Sequence, residues 1–201
     1  MNVMNEHNKK SLRLVIADNE SIIRLDLREM LEDAGHEIVG EAVNGRKAVE
    51  LTRMHRPDLV IMDIKMPEMD GITAARKISE EKIAPVLLLT AFSQPEIVEQ
   101  AKDSGVLGYL VKPVQESNLF PAIEIALSRW QEMQGLEAEL DKLKDSLETR
   151  KIVARAKGII MAAHKLGEQE AYRRIQRYAM TKRISIKDVA EAIVKAAGGK
   201  V

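Results

Sequence analysis

Two hydrophobic rhythms alternate along the first 130 residues. Short apolar runs occupy residues 12–17, 38–42, 59–62, 85–91 and 109–111. They lack polar alternation, the pattern of strands buried on both faces. Between them, apolar residues return at helical spacing. Ile22, Ile23, Leu27, Met30 and Leu31 share one helical face behind a Ser21 cap. Residues 45–56, 72–80 and 95–104 repeat the theme, and Pro95 is tolerable in a first helical turn. Gly35, Gly71, Gly105 and Pro57 punctuate the elements. Five strand-then-helix units predict an α/β domain over residues 12–130. Its core is a five-stranded parallel, doubly wound, flavodoxin-like sheet with helices on both faces.

Beyond Ser117 the rhythm is helical throughout. Leu119, Ile123 and Leu127 lie on one face, and the helix is expected to run past Trp130. Leu136, Leu140, Leu143 and Leu147 then follow at spacings of four, three and four, the a/d seam of a coiled coil. Residues 131–147 therefore read as a coiled-coil linker, although Gly135 weakens the helix locally. The alternative is one amphipathic helix packed within its own chain. Residues 148–197 predict a small three-helix domain. Its first helix continues through Met161 or Ala163, its second covers 168–180, and its third runs from a Ser185 cap to Ala197, stopped by Gly198 and Gly199. So few residues are expected to lean on the coiled coil for stability. Ala156, Met161, Ala179, Met180, Val189 and Ile193 are read as its core.

Composition narrows the chemistry. Apolar residues make up 45% of the 201, and the absence of cysteine excludes disulfides and thiolate metal sites. No apolar run is long enough to cross a bilayer, and residues 1–10 lack the apolar stretch of a secretory signal. A cytoplasmic protein with no membrane partner is expected. The net charge of zero conceals a segregation: residues 146–201 carry thirteen Lys/Arg against five Asp/Glu, and the preceding 145 carry eighteen against twenty-six. A basic end of this kind points to an anionic partner.

The residues ending the strands are the ones to inspect, because a parallel sheet gathers its chemistry at the carboxyl edge. The first strand ends at Asp18, followed by Asn19 and Glu20; the third ends at Asp63, the fourth at Thr90, and the fifth precedes Lys112–Pro113. Two carboxylates, an ammonium group and a hydroxyl are expected to share one polar pocket. That set suits transfer of a phosphoryl group to a carboxylate. Asp63 is the nucleophile. Asp18 and Asp63 offer oxygens to Mg²⁺, and Lys112 and Thr90 face the phosphoryl oxygens.

The stretch Ile61-Met-Asp-Ile-Lys-Met-Pro-Glu-Met-Asp-Gly71 resembles the phosphoacceptor loop of two-component response regulators. The runs Leu87-Leu-Leu-Thr90-Ala and Tyr109-Leu-Val-Lys112-Pro113 are similar to that family's other motifs. The resemblance implies that Asp63 is the phosphoacceptor, that Lys112 is the invariant lysine, and that Thr90 and Tyr109 form the switch pair. It also implies a cis Lys112–Pro113 bond and a sensor histidine kinase as donor, the chain itself being a phosphoacceptor and not an enzyme. The family places two acidic residues where this chain has Asp18-Asn19. Asn19 offers only an amide oxygen, leaving Asp18, Asp63 and the Lys65 main-chain carbonyl as ligands and predicting weaker Mg²⁺ binding.

Three classes of output are weighed. An enzyme is disfavoured because the helical tail leaves little room for an active site, and His7, His36, His55 and His164 form no ligand cluster in the sequence. DNA binding is an alternative, since Ser185-Ile-Lys-Asp-Val-Ala190 resembles the opening of a helix-turn-helix; a recognition helix should follow, yet only three residues follow Gly198. RNA binding is favoured. Ala156-Lys-Gly-Ile-Ile-Met161, Glu170-Ala-Tyr172, Ala179-Met180 and Asp188-Val-Ala190 are spaced as in the ANTAR domains of transcription antiterminators. The order of receiver, coiled coil and ANTAR domain is similar to the ethanolamine-utilisation antiterminators. The resemblance implies binding of paired stem-loops in nascent RNA, which prevents a terminator from forming. Lys157, Gly158, Tyr172 and Arg177 are the expected RNA contacts. Gly158 reads equally as a site of close RNA approach or of tight helix packing. Phosphorylation is expected to drive formation of a homodimer through the leucine seam. A phosphorylation-gated protein-binding module is the remaining alternative.

Overall fold

The computed structural model describes residues 11–91 and 105–198. It divides into two compact units, 1–133 and 134–201. The first unit holds β1 (Arg13–Ala17), α1 (Ser21–Asp33), β2 (Glu37–Ala42), α2 (Gly45–His55), β3 (Leu59–Asp63), α3 (Gly71–Glu80), β4 (Val86–Thr90) and β5 (Gly108–Val111). Next comes α4 (Glu116–His164), whose residues from 134 onward belong to the second unit with α5 (Glu168–Lys182) and α6 (Ile186–Ala196). The expected helix at 95–104 lies outside the described residues.

All strand pairs are parallel, in the order β2-β1-β3-β4-β5. This is the doubly wound, flavodoxin-like order, with a switch point between β1 and β3. Because alternate strand residues face opposite sides, the central strands feed two cores. Val15, Val60, Met62 and Leu88 pack with Ala48 and Val49 of α2 and with Ala74, Ala75 and Ile78 of α3. Leu14, Ile16, Leu59, Ile61, Leu87 and Leu89 pack with Leu27 and Leu31 of α1 and with Leu119, Ile123 and Ala126 of α4.

Helix starts follow local chemistry. Asn44 accepts from the Lys47 N–H at 2.8 Å and caps α2, and Asp70 accepts from the Thr73 N–H at 2.8 Å and caps α3. The Ser21 cap is corrected: Ser21 is the first residue of α1, and Glu20 precedes it in extended conformation. The Glu20 N–H is held by the Asp18 carboxylate at 2.9 Å, which brings the chain into the helix one residue earlier.

In the second unit, α4 passes through Gly135 without a break. Ile152, Val153 and Ala156 of α4 pack with Ile175 and Ala179 of α5 and with Val189, Ala190 and Val194 of α6. Ser185 and Asp188 form a reciprocal capping box at the start of α6. Met180, expected in this core, is 73% exposed because it stands one residue past the inward-facing Ala179. Leu136, Leu140, Leu143 and Leu147 are each more than half exposed.

Candidate functional site

Asp18, Asp63 and Lys112 meet at the carboxyl edge of the sheet. The Lys112 ammonium lies 2.6 Å from Asp18 Oδ2 and 2.8 Å from Asp63 Oδ1. It thus bridges two carboxylates separated by 45 residues of sequence. The β1–β3 pairing places both there, Ala17 standing opposite Met62 one residue before each aspartate. Pairing of Thr90 with Val111 delivers Thr90 and Lys112 to the same edge.

Each group is further held. Asp18 is fully buried, its Oδ1 accepts from the Glu20 N–H, and its carbonyl accepts from the Arg24 guanidinium at 2.7 Å. Asp63 Oδ2 accepts from the Lys65 N–H at 2.9 Å. Burial pushes the Asp63 carboxyl above its ordinary value; the Lys112 hydrogen bond and charge pull it back only partly, and Asp18 adds to the rise. Burial alone would lower the Lys112 value, but its hydrogen bonds to Asp18 and Asp63 and their charges more than reverse this, leaving it raised. The ammonium is thereby held charged.

A cavity of about 210 Å³ opens at this edge, lined by Asn19, Glu20, Asp63, Lys65, Thr90 and Lys112, with Ile64 and Ala91. Thr90 is buried. Tyr109 on β5 is 46% exposed, so its ring is on the outside in this state. The Lys112–Pro113 bond is cis, as the resemblance implies. Among the described residues no three His, Cys, Asp or Glu side chains form a closed metal cage. Mg²⁺ does not need one: one or two carboxylates, a carbonyl and waters suffice. The buried Asp63 carboxylate and the oxygens around this cavity therefore fit such an ion.

Sequence reading assigned no role to two residues here. Glu20 lines the cavity, and the signal was its place directly after Asp18-Asn19. Gly71 packs so closely on β3 that an added Cβ would collide with the Asp63 carbonyl oxygen, while its N–H donates to the Ile64 carbonyl at 2.8 Å.

The expected RNA contacts fall in two places on the second unit. Lys157 and Tyr172 line one hollow with Glu168, Gln169, Arg173 and Gln176. Lys157 is paired there with Glu168 at 2.5 Å, a partner that sequence reading missed. Arg177 lies instead along a groove of about 660 Å³ with Arg174, Tyr178 and Lys182. Five residues of α5 separate Arg177 from Tyr172, which turns it well away around the helix. Gly158 is exposed, and a Cβ added there meets nothing within 4 Å. Packing within this unit therefore does not require glycine at that position.

Likeness to known proteins falls on the same two units. Residues 14–124 match the response regulator receiver domain and residues 141–194 the ANTAR domain. The chain is similar to the transcriptional regulatory protein PdtaR of Mycobacterium tuberculosis (strain ATCC 25618 / H37Rv): 52% identical over 186 residues, 92% of this chain and 91% of that protein. The chemotaxis protein CheY of Bacillus subtilis is 39% identical over 117 residues, 58% of this chain and 98% of its own. Among solved structures, the receiver domain of NarL from M. tuberculosis superposes with a TM-score of 0.55 at 31% identity, covering 60% of this chain and 97% of that one. A CheX–CheY–BeF3–Mg²⁺ complex from Borrelia burgdorferi gives 0.53 at 28% identity, covering 55% of this chain and 85% of that one.

Proposed function

Because this chain belongs to the response regulators, carrying a receiver domain and an ANTAR domain, we propose that it accepts a phosphoryl group on Asp63 and answers by pairing two RNA-binding domains on nascent RNA. The observation that carries the first half is the Lys112 ammonium set between Asp18 and Asp63. A phosphohistidine on a sensor kinase is the donor: the Asp63 carboxylate attacks its phosphorus as the P–N bond breaks, and the kinase histidine leaves as free imidazole. Lys112 leaves its carboxylate partners to meet the incoming phosphoryl oxygens, and the Thr90 hydroxyl donates to another. Asp18, Asp63 and the Lys65 carbonyl would hold Mg²⁺, with Asn19 adding an amide oxygen. When bound, the ion neutralises charge on the phosphoryl oxygens. Thr90 moving inward makes room for the Tyr109 ring to follow, reshaping the surface around β4 and β5.

The second half rests on the exposed leucine seam and the basic tail. Leu136, Leu140, Leu143 and Leu147 stay more than half exposed among the described residues, so a second copy supplies their cover. Two ANTAR domains brought together grip two stem-loops of one RNA, gaining affinity through effective concentration, and the paired stem-loops displace a terminator. Lys157, Gly158 and Tyr172 form the contact surface, with Arg177 on the adjoining groove. The setting is the cytoplasm.

A gel shift with a two-stem-loop RNA tests this, using wild type and Asp63→Ala with and without beryllofluoride. Beryllofluoride is expected to tighten binding by wild type on the order of a hundredfold and to leave Asp63→Ala unchanged. Equal binding in all four lanes overturns the proposal. A duplex DNA competitor that displaces the RNA would favour the DNA-binding alternative.

A further inference from the structure

We propose that Glu20 is the second carboxylate of the Mg²⁺ site, supplying the negative charge that Asn19 lacks, directly or through one bound water. This rests on the phosphoacceptor reading above and deepens it.

The charge on Asp18 is largely committed elsewhere. Its side chain is fully buried, Oδ2 is held by Lys112 at 2.6 Å and Oδ1 by the Glu20 N–H at 2.9 Å. It does not line the cavity that Asp63 and Lys65 line. Asn19 does line it, but an amide oxygen carries no formal charge. Without a further carboxylate, an ion in that cavity would have the charge of Asp63 and only the shared charge of Asp18, with the Lys112 ammonium opposing both.

Glu20 fills the deficit by position. It lines the same cavity, and its backbone is pinned by the bond from its N–H to Asp18. Its extended conformation (φ −87°, ψ 116°) places it just ahead of α1, and its side chain makes no capping hydrogen bond. Helix capping therefore leaves the carboxylate available. The competing account is that Glu20 only interacts favourably with the positive end of the α1 dipole. That account predicts a change in stability without any change in ion binding.

Isothermal titration of the full chain with MgCl₂ separates the two, using wild type, Glu20→Gln, Asn19→Asp and the double variant. Glu20→Gln is expected to weaken Mg²⁺ on the order of tenfold or more, the least expected of removing a group that orients a metal's ligands. The loss persists at 0.5 M NaCl, where a distant charge is screened. Restoring a carboxylate with Asn19→Asp in the Glu20→Gln background recovers the affinity. An unchanged affinity in Glu20→Gln, or a loss that disappears in salt, overturns the inference and leaves the phosphoacceptor reading standing. Wild type that binds no Mg²⁺, and is not labelled by acetyl phosphate in its presence, overturns both.

Discussion

An alanine at position 71 would drive its Cβ into the Asp63 carbonyl oxygen. Neighbouring backbone, and not a left-handed conformation, makes glycine obligatory there. Gly71→Ala is expected to destabilise the receiver by about 1–3 kcal/mol, as overpacking does, and to weaken beryllofluoride binding by displacing the nucleophile's main chain. Urea denaturation and fluoride-analogue titration measure the two effects. Asp70, the adjacent residue, illustrates a charge used for folding. Burial would raise its carboxyl pKa, but bonds from the Thr73 N–H and hydroxyl hold it below the ordinary value. A carboxyl lowered on folding contributes stability in full above its unfolded pKa of about 3.9, and loses it as the pH falls through the lower folded value. Asp70→Ala should therefore cost about 1 kcal/mol at neutral pH, with the gap from wild type closing in strong acid. A gap constant down to pH 2 would contradict this cap.

At the scale of elements, Gly158 sits inside the unbroken α4, where glycine lowers helix stability, and gains nothing in packing. Gly158→Ala is expected to stabilise α4 by about 1 kcal/mol while weakening RNA binding, because the added methyl occupies surface beside Lys157. Higher thermal stability with unchanged RNA affinity would remove Gly158 from the contact surface. The Lys157–Glu168 pair gives the same hollow an electrostatic test. Glu168 occupies the ammonium that a phosphate would claim, and Lys157 holds the Glu168 carboxyl below its ordinary value. Glu168→Gln is expected to tighten RNA binding. Lys157→Ala is expected to weaken it and to reduce the slope of log affinity against log salt by about one, read from binding isotherms at several salt concentrations.

For the whole molecule, the exposed leucine seam carries the link between phosphorylation and output. Leu140→Lys with Leu143→Lys should leave the protein monomeric in beryllofluoride by sedimentation. It should also lower affinity for a two-stem-loop RNA on the order of a hundredfold while sparing binding to a single stem-loop. A dimer that persists in this variant places the interface elsewhere.

Hydrophobic rhythm by itself determined the sheet and the helices, because strand and helix periods are local properties of the chain. The strand-end position of Asp18, Asp63, Thr90 and Lys112 followed from that rhythm. So did the Ser185 cap, whose partner Asp188 stands only three residues away. Tertiary structure alone decided which of these side chains touch. Lys112 reaches Asp18 across 94 residues, a relation that no spacing encodes. It also decided that Glu20 faces the cavity while Asp18 is enclosed, and that Gly71 abuts the Asp63 backbone. Each is an outcome of packing between distant segments, where position is set by the neighbours a residue meets and not by the residues beside it in the chain.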